Sequence, residues 1–455
     1  EFANDLVQEC VLASLVPALA AAHHRRAADL STDQPETMAE HAFASGDLER
    51  AAQGWLLAGQ AAMGRSAVED AAALFGRGLD TTSDPVLRAR LLLARGVAGE
   101  ALTTYAPALA DIEEALALAR ARGSRRVEME ALRARGGDVP VGLHLPTADV
   151  AAHLESALAI ATELGDRRAE AGISTRLTVL DISRLRLRSA LSRAERTLER
   201  VGTGHEDDRV LALDGLKSVL AYLGDADRLR VVLHELEPML RRGDSAWLLQ
   251  WTVFEAAFVP ASAGAWEEAR DRVEEALRIN LRSGYPAYSG FFEAHQGWFD
   301  RLAGDLDSAL LHGRRAVELT SSADHPWWYA AACGLLAATL VASGQPVEAA
   351  ATARRGLAST GPATAEAWRL RCAAPLAAVS DDDVDWRVAS GLLRGVDCPA
   401  GQAWVAGADC YLLVATAAHR RGALDEVAEP LAALRGATGT RWASVRAQLD
   451  AADLR

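Results

Sequence analysis

A six-residue phrase that returns every 40 residues constrains this chain more than any other feature. It reads Gly-Ala-Trp-Glu-Glu-Ala from Gly264, Gly-Asp-Leu-Asp-Ser-Ala from Gly304 and Gly-Gln-Pro-Val-Glu-Ala from Gly344. A fixed period of about 20 to 50 residues is typical of solenoids, in which each repeat stacks on its neighbours. Glycine tolerates the left-handed conformation that ends a helix, and the alanine allows a second helix to pack closely. The phrase therefore predicts a repeated helical hairpin.

Turns of the same kind recur along most of the chain at intervals near 40 residues. They are predicted at Gly46, near Thr104, near His144 to Thr147, near Leu185, at Gly224, Gly264, Gly304 and Gly344, near Asp381 to Asp383, and at Gly422. Small residues stand seven positions before several of the glycines, at Ala39, Ala257, Gly297, Ala337 and Ala415.

The period exceeds the tetratricopeptide unit of about 34 residues and lies nearer that of HEAT repeats. The Gly-Asp-Leu turn with an alanine shortly after it nevertheless favours tetratricopeptide-like pairs. We predict an all-α fold, a tetratricopeptide-like solenoid of about ten hairpins of about 40 residues, wound into a right-handed superhelix. In such stacks the first helix of each hairpin lines the inner, concave surface.

Composition and charge exclude several classes of function. The 455-residue chain has a net charge of −14 and no block of basic residues, so we expect no direct binding of nucleic acid by this chain. Its five cysteines form no Cys-x-x-Cys pair, which favours a reduced, cytoplasmic compartment. No apolar run is long enough for a membrane span, and we expect no membrane association. Glu1-Phe2 is what an EcoRI site encodes, so we expect a fragment of a larger protein.

The sequence contains no motif for catalysis, and we predict that the chain is not an enzyme. Lys217 is the only lysine, and it lacks the glycine-rich context of a phosphate-binding loop. No His-Glu-x-x-His motif is present, and we predict neither a metal site nor a cofactor. The acidic turn from Asp381 to Asp385 is better interpreted as a helix cap than as a cation site.

Aromatic residues are concentrated on the first helices of three consecutive hairpins, between positions 247 and 329. The candidate binding residues there are Trp247, Trp251, Phe254, Tyr288, Phe291, Phe292, His295, Trp298, Trp327, Trp328 and Tyr329. Glu293, Asp300 and Arg301 are the nearby polar groups. Trp251 and Phe291 are one repeat apart, as are Phe258 and Trp298, so each pair should lie side by side. Two interpretations remain open. One is core packing between hairpins, and the other is a concave pocket for an apolar effector or a peptide.

Two phrases near the N-terminus carry a family resemblance. The first comprises Leu6-Val7-Gln8-Glu9, Ser14-Leu15 and His24-Arg25-Arg26-Ala27-Ala28-Asp29-Leu30; the second comprises Pro35-Glu36, Ala39-Glu40-His41, Ser45-Gly46-Asp47, Ala51, Trp55-Leu56 and Ala58-Gly59-Gln60-Ala61-Ala62. They resemble the junction between the winged-helix segment and the repeats of actinobacterial STAND-type ATPases, of the LuxR-type or cyclase-linked kind. The resemblance covers roughly residues 5–80. It implies a sensor arm that binds an inducer or a partner protein and controls the ATPase upstream of it.

We therefore predict two domains, a winged-helix or linker remnant at 1–32 and a repeat array at 33–455. The predicted function is effector or partner binding that regulates a signalling ATPase or transcriptional regulator. The expected partners are the upstream ATPase domain and a small-molecule or peptide effector. The alternative is a stand-alone scaffold that holds a peptide or a partner protein in its concave groove.

Overall fold

The computed structural model describes residues 16–65, 67–137, 143, 145–202, 204–243, 245–283, 288–322, 325–361 and 365–436. The described part of the chain is α-helical, with one isolated β-bridge between Arg186 and Asp397. The predicted all-α fold is confirmed. The chain forms two compact units, Glu1–Val139 and Pro140–Arg455.

The helices of the first unit are α1 (Pro17–Leu30), α2 (Pro35–Ala44), α3 (Leu48–Gly64), α4 (Val68–Thr81), α5 (Pro85–Ala101), α6 (Tyr105–Ala121) and α7 (Arg125–Ala134).

The helices of the second unit are α8 (Thr147–Leu164), α9 (Arg167–Ser183), α10 (Leu187–Val201), α11 (Glu206–Leu223), α12 (Ala226–Arg242), α13 (Ala246–Ala256), α14 (Phe258–Ser262), α15 (Trp266–Ser283), α16 (Ser289–Ala303), α17 (Leu306–Ser322), α18 (Pro326–Ala342), α19 (Pro346–Ala358), α20 (Glu366–Val379), α21 (Asp383–Arg394), α22 (Ala408–Arg421) and α23 (Ala428–Gly436), with 3-10 turns at Val405–Gly407 and Leu424–Val427.

Apart from the turn near His144, which lies mostly outside the described residues, the predicted hairpin turns are confirmed by the backbone. Every predicted turn glycine has a positive φ, from 65° to 90°: Gly46, Gly224, Gly264, Gly304, Gly344 and Gly422. Thr103 and Leu185 adopt the same left-handed conformation, each with φ 57°, in the turns predicted near Thr104 and Leu185. A residue with a Cβ is disfavoured in that conformation, so the fold keeps the turn geometry even where glycine is absent.

The small residues of the repeat allow the two helices of each hairpin to approach closely. Ala269, Ala309 and Ala349, which end the three copies of the phrase, are all fully buried. A Cβ on Gly297 of α16 would lie 3.0 Å from the carbonyl oxygen of Ala309 on α17. The hairpins are thus held by backbone proximity that larger side chains would prevent.

Several predictions fall on residues outside the described part of the chain. These are the first half of the N-terminal resemblance and most of the turn near His144. The break between Leu30 and Pro35 is present, because α1 ends and α2 begins there. The division into domains at residue 32 remains a prediction.

The acidic turn after α20 serves as a helix cap, as predicted. The backbone N–H of Val384 donates a hydrogen bond of 2.7 Å to a carboxylate oxygen of Asp382, the residue that precedes α21. Asp383 pairs with Arg421 at 2.6 Å, and Asp381 is fully exposed. These carboxylates therefore point to separate partners.

Candidate functional site

The second unit places the predicted aromatic residues on its inner helices, the first helix of each hairpin. Phe254, Phe291 and Phe292 are fully buried, and Trp298 is 2% exposed. Tyr288 and Trp327 are buried, Trp251, Trp328 and Tyr329 are half-buried, and Trp247 is the most exposed, at 36%. The candidates are therefore mostly covered, and only their edge faces solvent.

The rings contact one another across neighbouring hairpins. The ring centroids of Trp251 and Phe291 lie 5.5 Å apart, and those of Phe258 and Trp298 lie 5.9 Å apart. Both predicted neighbour pairs are confirmed. Many of the ring pairs meet edge to face, as Trp251 and Phe292 do at 5.1 Å, which is an arrangement that aromatic quadrupoles favour.

We call the rings in mutual contact the inner cluster. Its members are Trp251, Phe254, Tyr288, Phe291, Phe292, His295, Trp298, Trp328 and Trp368.

The edges of the cluster are polar. The indole N–H of Trp247 donates a 3.3 Å hydrogen bond to the hydroxyl oxygen of Tyr288. Tyr329 interacts with the thiol of Cys333 on its own helix. His295 lies inside the cluster, 1% exposed, and its Nδ1 donates to the carbonyl oxygen of Phe291 at 2.9 Å. Burial lowers the pKa of His295 to about 3, and the charge of Arg371 acts in the same direction, so this imidazole is neutral near pH 7.

Arg371 on α20 is a buried cation that contacts the inner cluster. Its guanidinium lies between two indoles, 5.4 Å from the ring centroid of Trp298 and 5.3 Å from that of Trp404. Nη2 donates a 2.5 Å hydrogen bond to the carbonyl oxygen of Ala406, while Nε and Nη1 have no hydrogen-bond acceptor among the described residues. Asp409 lies 3.9 Å from Nη1 and pairs more closely, at 2.5 Å, with Arg301.

A second buried ionic group lies on α11 and α13. The ammonium of Lys217, 1% exposed, is 2.9 Å from Asp214 and 2.5 Å from Glu255. Desolvation acts to lower the pKa of Lys217, but the two carboxylates outweigh it and the pKa is raised. Desolvation raises the pKa of Glu255, although Lys217 opposes the shift. The chain's single lysine thus balances carboxylates inside the unit, where removal of either partner would leave a buried charge.

Two of the predicted polar neighbours face away from the inner cluster. The carboxylate of Glu293 accepts a 2.8 Å hydrogen bond from His312, and Asp300 pairs with Arg270 at 2.6 Å. These partners stand on the second helices α17 and α15. The hydrogen bond to Glu293 raises the pKa of His312. Arg301, by contrast, reaches Asp409 beside Arg371.

The connector between α21 and α22, residues 395–407, crosses to the far side of the unit, and we call it the strap. The N–H of Asp397 donates to the carbonyl oxygen of Leu185 at 2.9 Å, and the N–H of Arg188 donates to the carbonyl oxygen of Asp397 at 3.1 Å. The Arg188 side chain also donates to the Asp397 carboxylate at 2.8 Å and to the carbonyl oxygen of Cys398 at 2.6 Å. The strap therefore joins turns that lie about two hundred residues apart along the chain.

The second half of the strap enters the interior. Trp404 and Val405 are fully buried. A Cβ on Gly224, the turn glycine between α11 and α12, would lie 2.7 Å from the Cβ of Val405. The inner helices α9 and α20 also pack against each other. Part of the inner-helix face that the sequence predicted to bind a ligand is therefore covered by the chain itself.

A surface groove lies elsewhere, between α12 and α15, with a volume of about 660 Å³. Its arginines are already paired: Arg241 and Arg272 with Glu237, and Arg242 with Glu206. The wall of this groove combines these ion pairs with the apolar side chains of Leu233, Pro238 and Val259. We place the candidate site instead at the inner cluster, where buried polar groups retain hydrogen-bonding capacity.

Sequence reasoning missed the most informative residues of the site. Arg371, Trp404 and Asp409 belong to no repeated motif, and they meet only in the folded unit. The strap did leave a signal, because Gly395, Pro399 and Gly401 interrupt the helical pattern and a tryptophan follows them. A long connector that contains glycine and proline, in a repeat of fixed period, indicates a segment that does not follow the hairpin pattern.

No metal-binding group of three or more His, Cys, Asp or Glu residues occurs among the described residues. None of the described helices combines the length and the apolar character that crossing a membrane would require.

Comparison with known proteins supports the fold. No family model matches the chain, and no curated protein matches it. Among solved structures, the Rap protein complexed with competence and sporulation factor is similar at 12% identity, with 89% of this chain and 99% of that chain covered and a TM-score of 0.53. The apo form of the quorum sensor NprR from B. thuringiensis is similar at 14% identity, with 74% and 97% covered and a TM-score of 0.51. The fold is a tetratricopeptide-like all-α solenoid.

Proposed function

We propose that this chain is the effector- or partner-binding regulatory domain of a cytoplasmic signalling ATPase, and that its effector binds at the inner cluster. The observation that carries the proposal is the state of Arg371. A guanidinium that is 2% exposed and makes one hydrogen bond is energetically unfavourable, because buried polar groups normally have hydrogen-bond partners. A polar ligand at this position would complete its hydrogen bonds.

Two further observations support this assignment. The fold resembles those of Rap, whose structure contains competence and sporulation factor, and of the quorum sensor NprR. Aromatic rings beside a few convergent polar groups are the usual composition of small-molecule and peptide sites. The role is recognition, and we assign no catalytic step to the chain.

Regulation follows from differential affinity. A ligand shifts an equilibrium between two arrangements only to the extent that it binds one of them more tightly. In the proposed protein, effector binding at the inner cluster changes how the repeat unit docks on the upstream ATPase domain. The N-terminal resemblance over residues 5–80 supports the presence of that ATPase.

Titration of the full chain with peptide and small-molecule pools tests the binding role. The probe is tryptophan fluorescence, because the rings of the inner cluster report on their own surroundings, together with the thermal unfolding temperature. We expect one fraction to give a saturable change that is lost in Arg371→Gln. Arg314→Gln, which removes an exposed arginine paired with Glu348, should keep the response. The absence of any saturable change in the wild-type chain contradicts the proposal.

The ATPase context has a separate test. Sequencing of the native gene upstream of the codon for Ala3 should reveal a phosphate-binding loop and a winged-helix segment. If neither is encoded there, the signalling-ATPase part of the proposal fails and the stand-alone scaffold becomes the better description.

A further inference from the structure

The strap is held at both ends by contacts of the kind that hold a bound peptide. One end is fixed by backbone hydrogen bonds between Asp397 and the Leu185–Arg188 turn, which form the isolated parallel bridge. The other end is fixed by an arginine side chain, because Arg371 donates to the carbonyl oxygen of Ala406. Backbone pairing provides affinity in strand-like recognition of peptides, and side-chain pockets provide specificity. Here the specificity element is the indole of Trp404 beside Arg371.

The strap does not complete the site that it occupies. Arg371 keeps two nitrogens, Nε and Nη1, without an acceptor among the described residues, and the indole N–H of Trp404 also lacks one. Arg301 and Arg371 carry two positive charges against the single carboxylate of Asp409. An anionic group beside Arg371 would therefore supply acceptors to these nitrogens and balance the second positive charge.

The first end of the strap is held by exposed contacts. Its first anchor, the ion pair between Arg188 and Asp397, is about half exposed on both sides, and exposed pairs contribute little to stability. Gly395, Pro399 and Gly401 keep its backbone out of the helices on either side. Because both ends of the strap are covalently tethered, it rebinds at a high effective concentration. A free ligand must therefore make better contacts than the strap makes.

We infer that the strap is an internal ligand, and that an extended peptide with a free C-terminal carboxylate displaces it from Arg371. The peptide would place a tryptophan in the Trp404 position and end in small residues, so that its carboxylate lies where the Ala406 carbonyl oxygen now lies. A carboxylate offers two oxygens to a guanidinium, whereas a carbonyl offers one. This inference rests on the proposed function, since it names the class of effector and the element that the effector moves.

The experiment supplies such a peptide to the full chain. The probe is a fluorescein-labelled peptide with the sequence of residues 396–406, carrying Cys398→Ser, made once as the free acid and once as the C-terminal amide. The receptor is Trp404→Ala, in which the strap loses its indole and the groove keeps every group that would hold the probe. The matched control is Trp55→Ala, which removes an equally buried indole from the other compact unit.

We expect the acid peptide to bind Trp404→Ala about tenfold more tightly than the amide. Binding to the wild-type chain should be weaker than to Trp404→Ala because the intact strap competes, and Trp55→Ala should behave like the wild type. Adding Arg371→Gln to Trp404→Ala should abolish the difference between acid and amide. Equal affinities of the acid and the amide would overturn the inference, and so would equal binding to Trp404→Ala and Trp55→Ala.

A second variant covers the case in which Trp404→Ala does not fold. Asp397→Ala weakens the other anchor and leaves Arg188 free to pair with the probe. In this variant the peptide that carries the aspartate should bind more tightly than the same peptide with alanine in its place, and equal binding contradicts the inference.

The inference and the proposed function can fail independently of each other. If a pool component binds the wild-type chain but the acid peptide binds neither variant, the strap inference fails and the proposed function stands. If the acid peptide binds the variants but no pool component binds the wild-type chain, the strap is still a displaceable segment and the proposed effector binding fails.

Discussion

The hairpins that begin at α13, α16 and α18 follow one rule, and the hairpin that begins at α20 departs from it. In the first three, a left-handed glycine closes the turn and a fully buried alanine packs the helices together. After α20 the turn is made by aspartates, and the connector that follows α21 becomes the strap. The regular hairpins form the framework of the unit, whereas α20 and the strap place Arg371 and Trp404 in its interior. The difference teaches that the regular hairpins supply the aromatic rings of the inner cluster, whereas the interrupted hairpin supplies its buried cation and the strap that covers it.

The largest expected difference in the free energy of unfolding is between alanine variants of two buried tryptophans. Trp298→Ala should lower the free energy of unfolding by about 3–5 kcal/mol, as for other large cavities in a core. Trp404→Ala should lower it by less, because a strap that opens locally can contribute no more than its own docking free energy. Chemical denaturation followed by circular dichroism measures both. Equal losses would mean that the strap is part of the permanent core.

A smaller effect separates two turn glycines that share a backbone conformation. Gly304, with φ 90°, has open space around the position of a Cβ, whereas a Cβ on Gly224, with φ 71°, would meet Val405 of the strap at 2.7 Å. Gly304→Ala should therefore cost about 1–2 kcal/mol from backbone strain alone. Gly224→Ala should cost more and should also expose the strap to protease. If Gly224→Ala is no worse than Gly304→Ala and the strap stays protected, Val405 does not hold the strap in place.

The inner cluster should make stability depend on pH. The pKa of His295 is lowered to about 3 in the folded chain, and an unfolded histidine titrates near 6.5. Below pH 6.5 the unfolded state binds the proton that the folded state excludes, so stability falls as the pH decreases from 6.5 toward 3. Between pH 7 and 5.5 this residue should account for a loss of about 1 kcal/mol.

His295→Gln is the variant that isolates this contribution, and it should flatten the pH dependence in that interval. His312 works in the opposite sense. Its raised pKa adds stability at low pH that is lost as the pH rises through the folded pKa, so His312→Gln should steepen the acid-side loss. An unchanged slope in His295→Gln would indicate that the imidazole is not buried as described.

The smallest effect on stability concerns two exposed arginines. Arg188→Ala removes the strap's first anchor, and Arg314→Ala removes an exposed pair between two regular hairpins. Each should change the free energy of unfolding by about 1 kcal/mol or less. Only Arg188→Ala should accelerate amide hydrogen exchange at Asp397. Similar exchange in the two variants would show that the ion pair has no part in holding the strap.

Much of the fold could be predicted because its causes are local. A left-handed glycine, a short polar turn and an alanine lie within six residues, and their spacing alone predicted the turns at Gly264, Gly304 and Gly344. The contact between Trp251 and Phe291 followed from the period, since equivalent positions of neighbouring repeats lie side by side. The turn near Leu185 was predicted from the 40-residue interval, but no glycine in the sequence indicated that a residue there would adopt the left-handed conformation.

The site could be predicted only in part, because its decisive contacts are not local. The aromatic side of the inner cluster was visible as a local concentration of rings. Arg371 was not, since its partners Trp298 and Ala406 lie on different elements and no periodic pattern connects them. The pairing of Arg188 with Asp397 spans about two hundred residues, and sequence spacing carries no information on whether residues so far apart meet.

Hydrogen exchange of the strap in the unmodified full chain tests the central claim most directly, that the inner face is a covered binding surface and not a finished core. At neutral pH the account predicts that the amides of Asp397 and Val405 exchange through an opening of much lower free energy than those in the middle of α16 and α20. It predicts further that the free energy of this opening depends only weakly on denaturant concentration, because little surface becomes exposed when the strap opens. If the strap amides instead exchange with the same free energy and denaturant dependence as α20, the strap opens only when the unit unfolds, and the account is contradicted.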